Sequence, residues 1–145
     1  MASFFLSRID SLVDRLLSEK IPAEKTRAGA GPEAEKLLGK TTVANAKLAY
    51  QRFQRILAFD RWKALEQAGA RVQRMLWAST STKNPHYRDL MYVEPLIGPH
   101  TVNTMPDETI AAFADHGVVR DTVEEGVDEA RQIIENLARL DIDFG

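Results

Sequence analysis

The 145-residue chain contains no cysteine, which excludes disulfide frameworks, thiolate catalysis and cysteine-based zinc sites. It also lacks any apolar run near the ~20 residues that a membrane-spanning helix needs. The N-terminal stretch MASFFLSRIDSLVDRLL reaches Asp10 and Asp14 after only a short apolar run, whereas a secretory signal carries roughly 7–15 apolar residues behind a positive start. An excess of charge is missing as well: 19 basic side chains stand against 21 acidic ones, for a net charge of −2. Such a balance supplies no general field for nucleic acid or an anionic membrane surface. The two tryptophans, three tyrosines and six phenylalanines are not interleaved with basic residues as a base-stacking platform would require. The expectation is a cytoplasmic protein with neither a nucleic-acid nor a membrane partner.

What is present is enough apolar material, 44% of residues, for one domain with a core. Residues 2–7 read as the end of an apolar strand that stops at Arg8. A helix is expected over 9–19, with Ile9, Leu12, Val13, Leu16 and Leu17 on one face. The stretch 21–36, with Pro22, Gly29, Gly31 and Pro32, reads as a surface connection. Val43, Ala46, Tyr50, Phe53 and Leu57 then recur at helical steps within a helical pattern over 33–57. Residues 60–68 add a further turn or two before Gly69, a natural helix stop. A second strand is expected at 72–79, irregular turns with a short helix at 86–97, and a third strand end at 101–105. Pro106, Asp107 and Glu108 suit the start of a helix that ends at Gly117. A last helix follows over 123–140. Strands alternating with helices imply an α/β fold with a parallel sheet. Three strands cannot close a barrel, since a (β/α)8 barrel takes eight strands and ~250 residues.

The chemistry concentrates where the second strand ends. Met75-Leu76-Trp77-Ala78 delivers the chain to Ser79, Thr80, Ser81, Thr82, Lys83, Asn84 and Pro85. In parallel α/β folds the ligand site lies at the carboxyl ends of the strands, and hydroxyls with a lysine can hold an anion there. A solvated loop has the same composition, and the fixed glycine spacing of a P-loop is absent. Ser3 and Arg8 flank the first strand end in the same way, and a guanidinium fork suits phosphate. Lys83 is a poor Schiff-base nucleophile from its polar setting, because such lysines need burial or a cationic neighbour. Lys47 and Lys63 fall in helical patterns. His86, His100 and His116 share no ligand spacing, so no metal is expected, and no GxSxG marks a nucleophile elbow.

The segment WASTSTKNPHYRDLMYVEPLIGPHTVNTMP resembles the region of transaldolases that carries their seventh and eighth barrel strands. It is most similar to the bacterial subfamily that includes fusions to glucose-6-phosphate isomerase. ASFFLSRIDSLVD resembles the end of the sixth strand and the helix after it, and DHG at 115–117 with DEARQIIENLARLDID continues the likeness. The resemblance implies a partial (β/α)8 barrel, roughly strands six to eight with their helices. Residues 1–145 would then be the C-terminal portion of one barrel domain, truncated at both ends. It implies transfer of a dihydroxyacetone unit between sugar phosphates through a lysine Schiff base, in the pentose phosphate pathway, without cofactor or metal. The family's serine and arginine, five residues apart, fall on Ser3 and Arg8, and its basic residue after the seventh strand falls near Lys83, here in a longer loop. These three are the expected phosphate-binding residues. The catalytic lysine belongs to the missing front of the barrel, so no catalytic residue is assigned and this chain alone is expected to be inactive. The missing N-terminal part of the barrel, sugar-phosphate substrates and a fused isomerase domain are the expected partners. Alternatives are a fragment of a fructose-6-phosphate-aldolase-like enzyme, or a non-catalytic half-barrel that binds sugar phosphates.

Overall fold

The computed structural model of the chain describes residues 2–25 and 33–143. Strand β1 (Ala2–Phe5) runs directly into helix α1 (Leu6–Lys25). Helices α2 (Glu33–Leu37), α3 (Thr41–Ala58) and α4 (Asp60–Gln67) lead to strand β2 (Met75–Ala78). A loop with a 3-10 turn at Glu94–Leu96 precedes β3 (Thr101–Asn103), and helices α5 (Asp107–His116) and α6 (Val127–Arg139) follow. The sheet order is β1-β2-β3, with both pairs parallel. The expected α/β fold is therefore the observed one.

The register divides the strands into two faces. Ala2, Phe4, Met75, Trp77, Thr101 and Asn103 share one, while Ser3, Phe5, Leu76, Ala78 and Val102 share the other, because successive side chains alternate across a strand. The first face makes the main core. Trp77, 1% exposed, lies with Met75 among Leu6, Ala46, Tyr50, Tyr92, Leu96 and Val123. Phe4 meets the Trp77 ring edge-on at 5.9 Å between centroids, a favoured geometry for aromatic quadrupoles. The Trp77 indole N–H donates to the Leu96 carbonyl at 2.8 Å, so its polar atom is satisfied as burial requires. A second cluster joins Val13 and Leu17 of α1 to Ala34, Leu37, Leu137 and Ile142.

Among the described residues neither core cluster draws on the other face: Phe5 is 47% exposed, Ser3 is exposed, Leu76 and Val102 are half-buried, and Ala78 is buried. Parallel sheets are as a rule covered on both faces, so this bare side is the principal departure of the molecule from a self-sufficient α/β domain.

Several boundaries differ from those the periodicity predicts. The first strand ends at Phe5 instead of residue 7, because Leu6 turns into the core and the Ser7 N–H donates to the Ser79 carbonyl at 3.0 Å. That bond gives a partner to one of the free N–H groups of a helix start, and it places Ser7 and Arg8 in α1. The helix also continues past residue 19 to Lys25, with Ile21 still packed on the second cluster. The helical pattern over 33–57 is broken at Gly39, where φ is +69°. Strand β2 is confined to 75–78, and Ser79 leaves it with a left-handed φ of 56°. The last helix starts at Val127 instead of 123: Gly126 is left-handed, and the Val123 N–H is held by the Ile97 carbonyl.

Candidate anion-binding site

The carboxyl ends of the three strands are joined by hydroxyl groups. The Ser7 and Ser79 hydroxyls are 2.8 Å apart, linking the end of β1 to the end of β2. Thr80, wholly buried, donates to the Asn103 side-chain oxygen at 2.8 Å and so links β2 to β3. The Thr104 N–H reaches back to the Trp77 carbonyl at 3.0 Å. Parallel strands leave their last carbonyls and amides facing the same edge, and these short polar side chains occupy it.

Two cations stand beside this line. Arg8 is exposed in the first turn of α1, with its guanidinium 5.1 Å from the centre of the Phe5 ring. A cation–π contact of this kind orients the fork without using its N–H donors. Lys83 is exposed in the loop after β2 and donates to the Ser81 hydroxyl at 2.7 Å. Neither is paired with a carboxylate among the described residues. Other cations nearby are engaged: Arg88 forks onto Glu94, and His116 lies between Asp89 and Asp115, whose carboxylates raise its pKa. Ser3 sits in mid-strand on the bare face of β1, and no hydrogen bond joins it to Arg8 or Lys83 among the described residues.

Behind the site lies a buried acid. Asp10, 1% exposed, accepts the Thr42 N–H at 2.8 Å. Burial pushes its carboxyl up to about 6, opposed by the Thr42 N–H and the nearby Tyr92 hydroxyl. One turn on, Asp14 accepts the Gly39 N–H at 2.9 Å and the Tyr87 hydroxyl at 2.7 Å. Tyr87 is correspondingly hard to ionise, first through burial and then through its bond to Asp14.

Ser3, Arg8 and Lys83 stand out in the sequence, whereas Ser7, Asp14 and Tyr87 do not. Ser7 carries no signal apart from its place next to Arg8. The Asp14–Tyr87 pair joins residues far apart in sequence, and no local pattern announces it. Lys47 donates to the Thr122 and Glu125 carbonyls at 3.0 and 2.6 Å, and burial lowers its pKa. No group of three or more histidines and acids that could hold a metal occurs among the described residues. No described helix is long and apolar enough to cross a membrane.

Comparison with known proteins covers the whole chain. A sequence profile of Transaldolase/Fructose-6-phosphate aldolase matches residues 1–145. The transaldolase of Trichodesmium erythraeum is 52% identical over 144 residues, 99% of this chain and 38% of that protein. Transaldolase 2 of a Nostoc species is 50% identical over the same length, and the Frankia alni transaldolase is 51% identical over 145 residues, 37% of its length. The chain thus spans little more than a third of these relatives. A three-stranded parallel sheet with one bare face is what a portion of a closed barrel leaves, and with a match from end to end the chain belongs to the transaldolase/fructose-6-phosphate aldolase family as a partial (β/α)8 barrel.

Proposed function

We propose that this chain is the phosphate-holding rear of a cytoplasmic transaldolase, in which Ser3, Arg8 and Lys83 bind the phosphate of a sugar-phosphate substrate. The observation that carries the reading is the pair Arg8 and Lys83: two cations without carboxylate partners among the described residues, on the elements that leave adjacent parallel strands. Strand ends of (β/α)8 barrels are where substrates bind. Arg8 offers a planar fork and Lys83 a mobile point charge, and the Ser3 hydroxyl on the bare face adds a neutral donor. Phosphate held there fixes the far end of the sugar, and remote binding of this kind orients the reacting carbon.

The complete enzyme moves a dihydroxyacetone unit from sedoheptulose 7-phosphate to glyceraldehyde 3-phosphate, giving erythrose 4-phosphate and fructose 6-phosphate. It is a step of the pentose phosphate pathway, with a lysine amine forming the Schiff base. That lysine belongs to the part of the barrel outside this chain, with an isomerase domain as a candidate fusion partner. Lys47 is tied to two backbone carbonyls, and Lys83 is better suited to an anion.

The test is a titration of the chain with inorganic phosphate, followed by phosphorus NMR, beside an assay with fructose 6-phosphate and erythrose 4-phosphate. Arg8→Ala and Lys83→Ala are each expected to weaken phosphate at least tenfold, while the chain alone shows no turnover. Unchanged binding in both variants would sink the assignment. Turnover proportional to the amount of chain would place the nucleophile within it.

A further inference from the structure

We propose that Tyr87 is a positioning residue: its hydrogen bond to Asp14 latches the Lys83 loop onto helix α1 and so sets the spacing between Lys83 and Arg8. The proposal rests on the phosphate reading above and deepens it.

The loop after β2 is fastened to α1 at two points. The first is the strand-end pair, with Ser7 and Ser79 hydroxyls at 2.8 Å and the Ser7 N–H on the Ser79 carbonyl at 3.0 Å. The second is the Tyr87 hydroxyl on the Asp14 carboxylate at 2.7 Å. On the helix these anchors are Ser7 and Asp14, about 10 Å apart at 1.5 Å per residue. Arg8 lies between them on the helix, and Lys83 lies midway between Ser79 and Tyr87 on the loop. Each cation is therefore carried by one side of a closed frame, and the frame has only these two fastenings among the described hydrogen bonds between loop 79–89 and α1.

Both ends of the second fastening are themselves fixed. Asp14 is held from the other side by the Gly39 N–H at 2.9 Å. The Tyr87 ring rests on Gly39 so closely that a Cβ at that glycine would fall 2.8 Å from the ring. Within the loop, the Thr82 hydroxyl donates to the Arg88 and Asp89 carbonyls at 2.9 and 3.1 Å. The Tyr87 N–H donates to the Asn84 carbonyl at 3.1 Å, and the His86 N–H to the Asn84 side chain at 3.0 Å. A loop braced internally moves as a piece; Arg88 on Glu94 and Asp89 on His116 still hold its far end, so losing the Tyr87 anchor frees Lys83 relative to α1. Preorganisation of this sort raises affinity by removing the ordering cost from the binding step.

Tyr87→Phe deletes the latch and keeps the ring on Gly39. In the full chain it is expected to speed amide hydrogen exchange across residues 81–89 at least fivefold. It is also expected to weaken inorganic phosphate five- to tenfold without changing the salt dependence, since no cation is lost. Unchanged exchange in the loop would overturn the latch, whatever phosphate does. Faster exchange with unchanged phosphate affinity, while Arg8→Ala and Lys83→Ala still weaken it, would leave Tyr87 merely structural and overturn the positioning role. If neither cation variant affects phosphate, the phosphate reading itself fails; the exchange data then report on the latch alone, and the positioning role is overturned with that reading.

Discussion

Asp10 shows how a single residue couples burial to pH. It lies on α1 between Arg8 and Asp14, almost wholly enclosed, with one oxygen on the Thr42 N–H and no normal-length hydrogen bond to the other among the described residues. Desolvation disfavours its charged form and lifts its pKa to about 6, with the Asp14 carboxylate adding to the rise and the Thr42 N–H and Tyr92 hydroxyl resisting it. A carboxyl with a raised folded pKa binds its proton more tightly in the folded state than in the unfolded one. Its contribution is thus fully present below the ordinary carboxylate pKa, is lost as pH rises toward 6, and stays lost above. Asp10→Asn keeps an acceptor for Thr42 and removes the charge. The variant should lose this slope and exceed the parent in stability at pH 7–8, by up to about 3 kcal/mol for a shift of two units. Urea midpoints for parent and variant between pH 4 and 8 give the comparison. A parent midpoint that rises between pH 4 and 6 would contradict the buried charge.

Elements were more legible in the sequence than their junctions. The stripe of Val43, Ala46, Tyr50 and Phe53 foretold α3, and Pro106 with Asp107 and Glu108 foretold α5, because helical spacing and first-turn preferences are local signals. The strand-to-helix junction at Phe5–Leu6 was not legible, since the bond from Ser7 to Ser79 that fixes it joins residues far apart in sequence. The site divides in the same way. Arg8 and Lys83 were marked by residue type next to strand ends, while Tyr87 and Asp14 acquire a role only from their contact. Gly39 is the junction where this matters most for α2 and α3. Its φ of +69° suits glycine, and the Tyr87 ring fills the space a side chain would need. Gly39→Ala should cost about 1–3 kcal/mol from backbone strain, with the ring clash in addition, and should displace Tyr87 from Asp14. Thermal melting reads the first effect and phosphate titration the second. A variant equal to the parent in both would show that the turn at 38–40 accommodates a side chain by moving elsewhere.

At the scale of the whole molecule, the decisive feature is the uncovered side of the sheet. Phe5 is exposed there and Leu76 and Val102 are half-buried, and β1 and β3 each pair on one side only among the described residues. Unpaired strand edges recruit other strands, and exposed apolar surface recruits anything that can cover it. In a closed barrel the same face lines the packed interior, which side chains from the other strands fill. The relatives are long enough to supply those strands, since this chain matches only 38% of the Trichodesmium erythraeum transaldolase. Purified alone, the 145-residue chain should therefore self-associate and bind a hydrophobic dye, sedimenting well above its 16.3 kDa. Grafted in place of the matching 144 residues of the Trichodesmium erythraeum transaldolase, it should lose dye binding. The graft should also transfer dihydroxyacetone, with Arg8→Ala and Lys83→Ala raising KM for fructose 6-phosphate. A dye-silent monomer from the isolated chain would mean that the sheet is covered in solution by the chain's own segments. The portion-of-a-barrel account of the bare face would then fall, and a self-contained sugar-phosphate-binding protein would be the better description.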